Sequence, residues 1–287
     1  YRYGQDAQYG DNVLHLTTAD PADPVIHHIT TGLVWEKDGN VSETKTWDEA
    51  NAYCASLTYD NANDWRLPSR RELLSIINYG KFNPSIDDIF TNTAAFGEYW
   101  TITPITSDQT NDLVWSVNFY EGTSDSVNYF NKLSKSSGEG CVRCVRGTAY
   151  LPDPNDFSTM PDGTITDWDT GLNWQEITAT EKMSWFEALH YCEKVASPVG
   201  EWRLPNIKEL ESIVDLDHYD PAVKTSVFDD IDTSTDPGEY WSSTSELSLG
   251  GQGAWIAQFK NGDVAFTSGK DVAYEKCVRC VRKLPGE

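Results

Sequence analysis

Long hydrophobic runs are missing. Nowhere do as many as about 18 apolar residues follow one another, which excludes a membrane-spanning helix and leads to the expectation of no membrane insertion. The opening residues YRYGQDAQYGD have neither a basic nor an apolar signal region, so any export signal is expected to have been removed and the chain to be soluble as it stands. Basic residues are scarce as well. Against 45 Asp and Glu there are 22 Lys and Arg, a formal net charge of −23. Nucleic acids and anionic membranes draw their affinity from basic side chains that release counterions, so neither is an expected partner. Divided after residue 148, the chain carries 20 acids and 11 bases before the cut and 25 and 11 after it, so no basic tail hides in the average. The five histidines, at 15, 27, 28, 190 and 218, offer no metal spacing beyond the neighbours His27 and His28, and no Ser-His-Asp order. Aromatic residues, by contrast, are plentiful. At 12% with 11 Trp they are too many for a disordered chain, whatever its charge.

The sequence repeats itself. TGLVW (31–35) returns as TGLNW (170–174), TWDEANAYC (46–54) as SWFEALHYC (184–192), and DWRLPSRREL (64–73) as EWRLPNIKEL (201–210). GEYWTIT (97–103) returns as GEYWSST (238–244), and CVRCVR occurs at both 141–146 and 277–282. The offset stays between 136 and 141, and ten of the eleven tryptophans fall into pairs, leaving Trp168. A period this long describes two copies of one globular domain, expected at 1–148 and 149–287, joined through the Pro- and Gly-rich segment 147–164.

Each copy reads as a strand, two helices and further strands, an α+β class. Thr46 with Glu49 and Ser184 with Glu187 have capping-box spacing, as do Ser69 with Glu72 and Asn206 with Glu209. Ala50, Tyr53, Cys54 and Leu57 form the expected inner face of the first helix, matched by Ala188, Leu189, Cys192 and Val195. Leu73, Ile76 and Ile77 do so for the second, matched by Leu210, Ile213 and Val214. Beyond residue 97 the pattern has period two, as in Trp115, Val117 and Phe119, with Gly122 and Gly262 expected to close hairpins.

Trp-Arg-Leu-Pro opens the second helix of each copy. Trp65 and Trp202 are expected in the core, and Arg66 and Arg203 to carry their charge through the same layer onto a carboxylate or carbonyls, because a buried guanidinium needs such partners. The alternative is an arginine that binds ligand.

In motif order, TGL-x-W, a helix with a Cys, W-R-L-P followed by E-L, Y-W-S-S/T and a closing R-C-V-R, both copies resemble the Lcl C-terminal domain family, a bacterial extracellular domain. The resemblance covers nearly the whole chain. It implies a fold similar to C-type lectins, with two helices packed on antiparallel sheets and long loops that carry binding, and a secreted or surface-attached protein. The family's adhesin is associated with sulfated glycosaminoglycans. Here the net charge is −23 and Arg70 and Arg71 become Ile207 and Lys208 in the second copy. The Glu-Pro-Asn and Gln-Pro-Asp signatures of calcium-dependent sugar binding are absent from the loops.

The six cysteines allow 15 pairings. The repeat prunes them, because each helix cysteine should meet the same terminal-strand cysteine in both copies; Cys54 with Cys144 and Cys192 with Cys280 are the expected bridges. Cys141 and Cys277, three residues before in a strand and so expected to face outward, could bond each other, pair between molecules or stay as thiols, in that order of expectation. Asp215, Asp217 and Asp220 in DLDHYD are the calcium candidate, against a plain turn before Pro221; no other cofactor is expected. Asp87, Asp88, Asp229, Asp230 and Asp232 read as solvated loop charge. Trp100 and Trp241 are candidates to stack on a sugar ring, against a place in the core.

The expected function is that of a non-enzymatic extracellular binding or adhesion module that recognises a glycan or a surface protein through the loops at 97–140 and 238–276, with no catalytic residues. Two alternatives are a homo-oligomeric subunit of an extracellular filament or coat, and a thiol or copper oxidase related to formylglycine-generating enzymes, which share the C-type lectin-like fold and use paired cysteines.

Overall fold

The computed structural model describes residues 16–18, 22–94, 97–120, 132–148, 157–195, 202–231, 233, 237–248 and 250–284. Much of the expected joint, together with Gly122 and Asp232, lies outside them. The chain divides into two compact units, described here from 16–148 and from 157–284.

The first unit begins with short strands β1 (Leu16–Thr17), β2 (Val25–His28) and β3 (Leu33–Glu36). The β2–β3 turn passes through Gly32 at φ +73°, a left-handed conformation in which a side chain would be strained. This is why TGL-x-W keeps its glycine. The sheet order is β1-β2-β3-β9, so the unit's final strand, β9 (Val145–Arg146), lies beside β3 with Val145 opposite Trp35. A second sheet, ordered β4-β8-β5-β6-β7, is built from β4 (Asn40–Lys45), β5 (Glu98–Pro104), β6 (Leu113–Asn118), β7 (Lys132–Ser134) and β8 (Gly140–Val142).

Two helices precede β5. Helix α1 (Trp47–Ser56) starts from Thr46 and α2 (Arg70–Ser75) from Ser69, each with both arms of the capping box present. Helix α2 is only six residues long, so Ile76 and Ile77, expected on its inner face, are buried just beyond its end. Ala50 and Cys54 pack with Trp65, Leu67, Trp100 and Val142 in one core.

The second unit repeats the plan with β10 (Phe157–Met160), β11 (Thr164–Asp167), β12 (Leu172–Gln175) and the last strand β16 (Val281–Lys283) in one sheet, Trp174 opposite Val281. Helices α3 (Trp185–Lys194) and α4 (Ile207–Ser212) are again capped by boxes, from Ser184 and Asn206. Strands β13 (Glu239–Ser245), β14 (Ala254–Gln258) and β15 (Asp263–Phe266) form the other sheet, with Gly262 at φ +81° before β15. The central strands are less two-faced than expected. Ser116 and Ile256 are as buried as Trp115 and Trp255, because both sides of β6 and β14 are covered.

Candidate functional site

Both Trp-Arg-Leu-Pro arginines end on the glutamate of the following capping box. Arg66 reaches Glu72 through Nη1 to Oε2 at 2.8 Å and Nη2 to Oε1 at 2.6 Å, and adds the carbonyls of Leu67 and Gly147. Arg203 grips Glu209 in the same way, at 2.7 and 2.5 Å. Trp65 and Trp202 are buried beside them, with the Arg282 guanidinium 4.6 Å from the Trp202 ring centre. Both guanidinium forks are occupied by partners within their own unit.

A second pair of arginines was not singled out by the sequence. Arg143 and Arg279, at the centre of each Cys-Val-Arg-Cys, are among the most buried side chains. Arg143 donates to the carbonyls of Glu36, Lys37 and Thr91 and to the Thr93 hydroxyl. Arg279 donates to the carbonyls of Gln175 and Glu176, to Thr178 Oγ1 and to Asp230. Asp230 is therefore not loop charge but the carboxylate partner of a buried arginine. The available signal was the repetition of an arginine between two cysteines and two valines, where a solvated charge has no reason to persist.

Cys54–Cys144 and Cys192–Cys280 are disulfides with Cα atoms 5.5 Å apart. Cys141 and Cys277 stand outside these bridges as thiols, and the expectation that Cys141 faces outward is corrected: it is 4% exposed. Strand parity fails because the strand breaks at Arg143 and Cys144, so Cys141 belongs to β8 and Cys144 leads into β9 of the other sheet. The Cys-x-x-Cys sequences are thus not dithiol pairs, since one member of each is tied to a helix.

Trp100 and Trp241 take the place in the core and not the one stacked on a sugar ring. Both are fully buried, their indole N–H groups donating to the carbonyls of Lys45 and Met183, and neither has a face open to a sugar. The DLDHYD carboxylates do not converge. Asp215 is buried against His218 Nδ1 at 2.7 Å and the Asp217 N–H, while Asp220 accepts from Thr233. Among the described residues no group of three or more His, Cys, Asp or Glu is arranged to hold a metal ion.

The second unit does contain a cleft of about 700 Å³. One wall is the start of α3, with Trp185, Phe186, Leu189 and His190; the others are loop residues Gly251 and Gln252, and the segment from Ser268 to Asp271 with Tyr274. Lys270 forms part of the lining and is mostly buried. Its Nζ lies 4.0 Å from the Trp185 ring centre and donates to Ser245 Oγ at 2.7 Å and the Gly251 carbonyl at 2.9 Å. Burial pushes its pKa down to about 8, opposed by the nearby Glu246 carboxylate. Gly269 is required where it stands, because a Cβ there would come within 2.3 Å of the Tyr274 ring. Phe186 is 59% exposed at the edge. The expected loop region 238–276 supplies much of this site, but the helix wall was not foreseen. Its signal lies in the repeat: the helix places Phe186, Leu189 and His190 where the first copy has Asp48, Asn51 and Ala52.

The Lcl C-terminal domain matches residues 24–146 and again residues 163–282, most of the chain. The chain belongs to the Lcl C-terminal domain family. Membership suggests an extracellular surface module. Two disulfides suit an oxidising compartment, and among the described residues no helix is long and apolar enough to cross a membrane. A search of curated proteins gave no significant match.

Proposed function

We propose that this Lcl C-terminal domain protein is a non-enzymatic extracellular binding module, made of two C-type lectin-like units, that takes a glycan or a surface protein through its loops. The observation that carries this reading is the second unit's cleft, in which a capped helix and two loops present aromatic rings and polar groups together. Sites of this kind, concave, largely apolar and with a few placed polar groups, are what small ligands and ligand termini use. A scaffold of two sheets fastened by a disulfide and buried arginines supplies the rigidity on which binding loops depend. The separation of each Cys-x-x-Cys into one bridged and one unbridged sulfur favours binding over thiol oxidation.

Biolayer interferometry of the chain against immobilised oligosaccharides and immobilised extracellular proteins tests the reading. Saturable binding to either class is expected. If neither is bound and the chain instead assembles with concentration in sedimentation velocity, the filament reading replaces it. Oxygen consumption with an added thiol would replace it with the oxidase.

A further inference from the structure

We infer that the cleft of the second unit takes a neutral saccharide and that the first unit has no counterpart to it, so that the chain carries one sugar site rather than two. The inference rests on the binding-module reading above and narrows it to a ligand class and a stoichiometry.

The class follows from the lining. Phe186 and Tyr274 give flat apolar surface, which suits the C–H faces of a sugar ring, and Phe186 is exposed enough to be met from solvent. Around them lie groups that can donate and accept. Among the described residues neither the His190 nor the Gln252 side chain is hydrogen-bonded to protein, and the Ser268 hydroxyl, which meets the Tyr274 hydroxyl at 3.1 Å, is exposed beside them. Alternating rings and short polar side chains match a ligand whose edges are hydroxyls; an alkyl ligand would leave those groups desolvated and unpaired, at a cost.

Neutrality follows from the charges. The cation of the cleft, Lys270, is already engaged by Ser245, Gly251 and the face of Trp185, and has Glu246 for electrostatic company. The exposed carboxylate of Asp271 also lines the cleft. A sulfated or uronic sugar would therefore meet an occupied ammonium with the buried Glu246 behind it, the lining carboxylate of Asp271 and a chain of net charge −23.

The single site follows from the repeat. Trp47 matches Trp185, but Asp48, Asn51 and Ala52 replace Phe186, Leu189 and His190, so the first unit's helix lacks the apolar platform and the imidazole. Lys135 does sit 5.5 Å from the Trp47 ring centre, so a cation beside the tryptophan persists where the helix lacks those side chains.

The experiment is an array of neutral oligosaccharides printed beside sulfated and uronate-containing ones, probed with the whole chain and with Phe186→Asp and His190→Ala. Both positions are exposed, so the variants should fold, which circular dichroism and melting confirm. The expected result is binding to neutral sugars, little changed between low and high salt, at one site per chain by calorimetry with the best array sugar, and weakened about tenfold or more by Phe186→Asp. Neutral-sugar binding that both variants retain, or two sites per chain, overturns the inference while leaving the binding module standing. Preference for sulfated sugars with steep salt dependence, or binding to proteins alone, overturns the ligand class.

Discussion

Glu72 accepts two parallel hydrogen bonds from Arg66, at 2.8 and 2.6 Å, and with the same carboxylate accepts the Ser69 backbone N–H at 2.7 Å. One side chain thus closes the N-terminus of α2 and fixes the strand-like Trp-Arg-Leu-Pro segment that leads into it. In the second unit the arginine is drier: the Arg203 side chain is 9% exposed, the Arg66 side chain 37%. Arg203→Ala is therefore expected to destabilise by about 3 kcal/mol and Arg66→Ala by roughly 2 kcal/mol, since water already solvates the Arg66 end of its pair, although both variants strand a mostly buried glutamate, Glu72 at 5% and Glu209 at 15% exposed. Urea unfolding checks both; equal and negligible losses would show that the forks contribute nothing net.

Replacing both members of one bridge, Cys54 and Cys144 or Cys192 and Cys280, by alanine is expected to cost about 4 kcal/mol in the affected unit, because each bridge closes a loop of nearly the whole unit: the sequence separations are 90 and 88 residues. The readout is the midpoint of that unit's unfolding under otherwise identical conditions.

Burial pushes the Glu98 carboxyl up to about 7, against hydrogen bonds from Asn118 and Ser116. The folded chain therefore holds a proton that the unfolded chain releases near 4.5, and the carboxyl's contribution to stability must fall as pH rises from about 4.5 to about 7, levelling above that. The span is on the order of 3 kcal/mol. Glu98→Gln should flatten it, seen as a smaller difference between unfolding midpoints at about pH 5 and about pH 8. The matching Glu239 has Lys276 at 2.6 Å, where the first copy has Gly140.

Denatured chain should yield two thiols to a titrating reagent, Cys141 and Cys277. In the native chain Cys141 should react the more slowly of the two, since it is buried and its thiol pKa is raised by burial and by Glu98. Mass spectrometry of labelled peptides over time decides it; faster labelling at Cys141 would contradict the structure.

The sequence disclosed those features whose partners are near in the chain. Thr46 and Glu49, or Ser69 and Glu72, are three residues apart, and their capping boxes needed no tertiary knowledge. Arg66 and Glu72 are six apart, so the arginine's need for an acid was legible although the acid itself was not named. What stayed hidden depended on distant backbone. Arg143 is held by carbonyls of residues 36, 37 and 91, which have no sequence signature because every residue has a carbonyl. Cys141 was misplaced by strand parity, a rule that holds within one sheet and not for a chain that changes sheets between two cysteines. The cleft hid for a different reason: Phe186 is a side chain on the solvent side of a helix, where apolar residues are neither required nor forbidden.

The pairing of β9 with β3, and of β16 with β12, sets the order in which the chain can be assembled. The last residues of each unit carry the strand, the buried arginine and the cysteine that the early residues wait for. While a unit is being made from its N-terminal end, Trp35 or Trp174 lacks its neighbour and Cys54 or Cys192 its partner until the final segment emerges. The first unit can close while the second is still arriving, and its own helix cysteine then has a bridge before the cysteines of the other copy can compete for it.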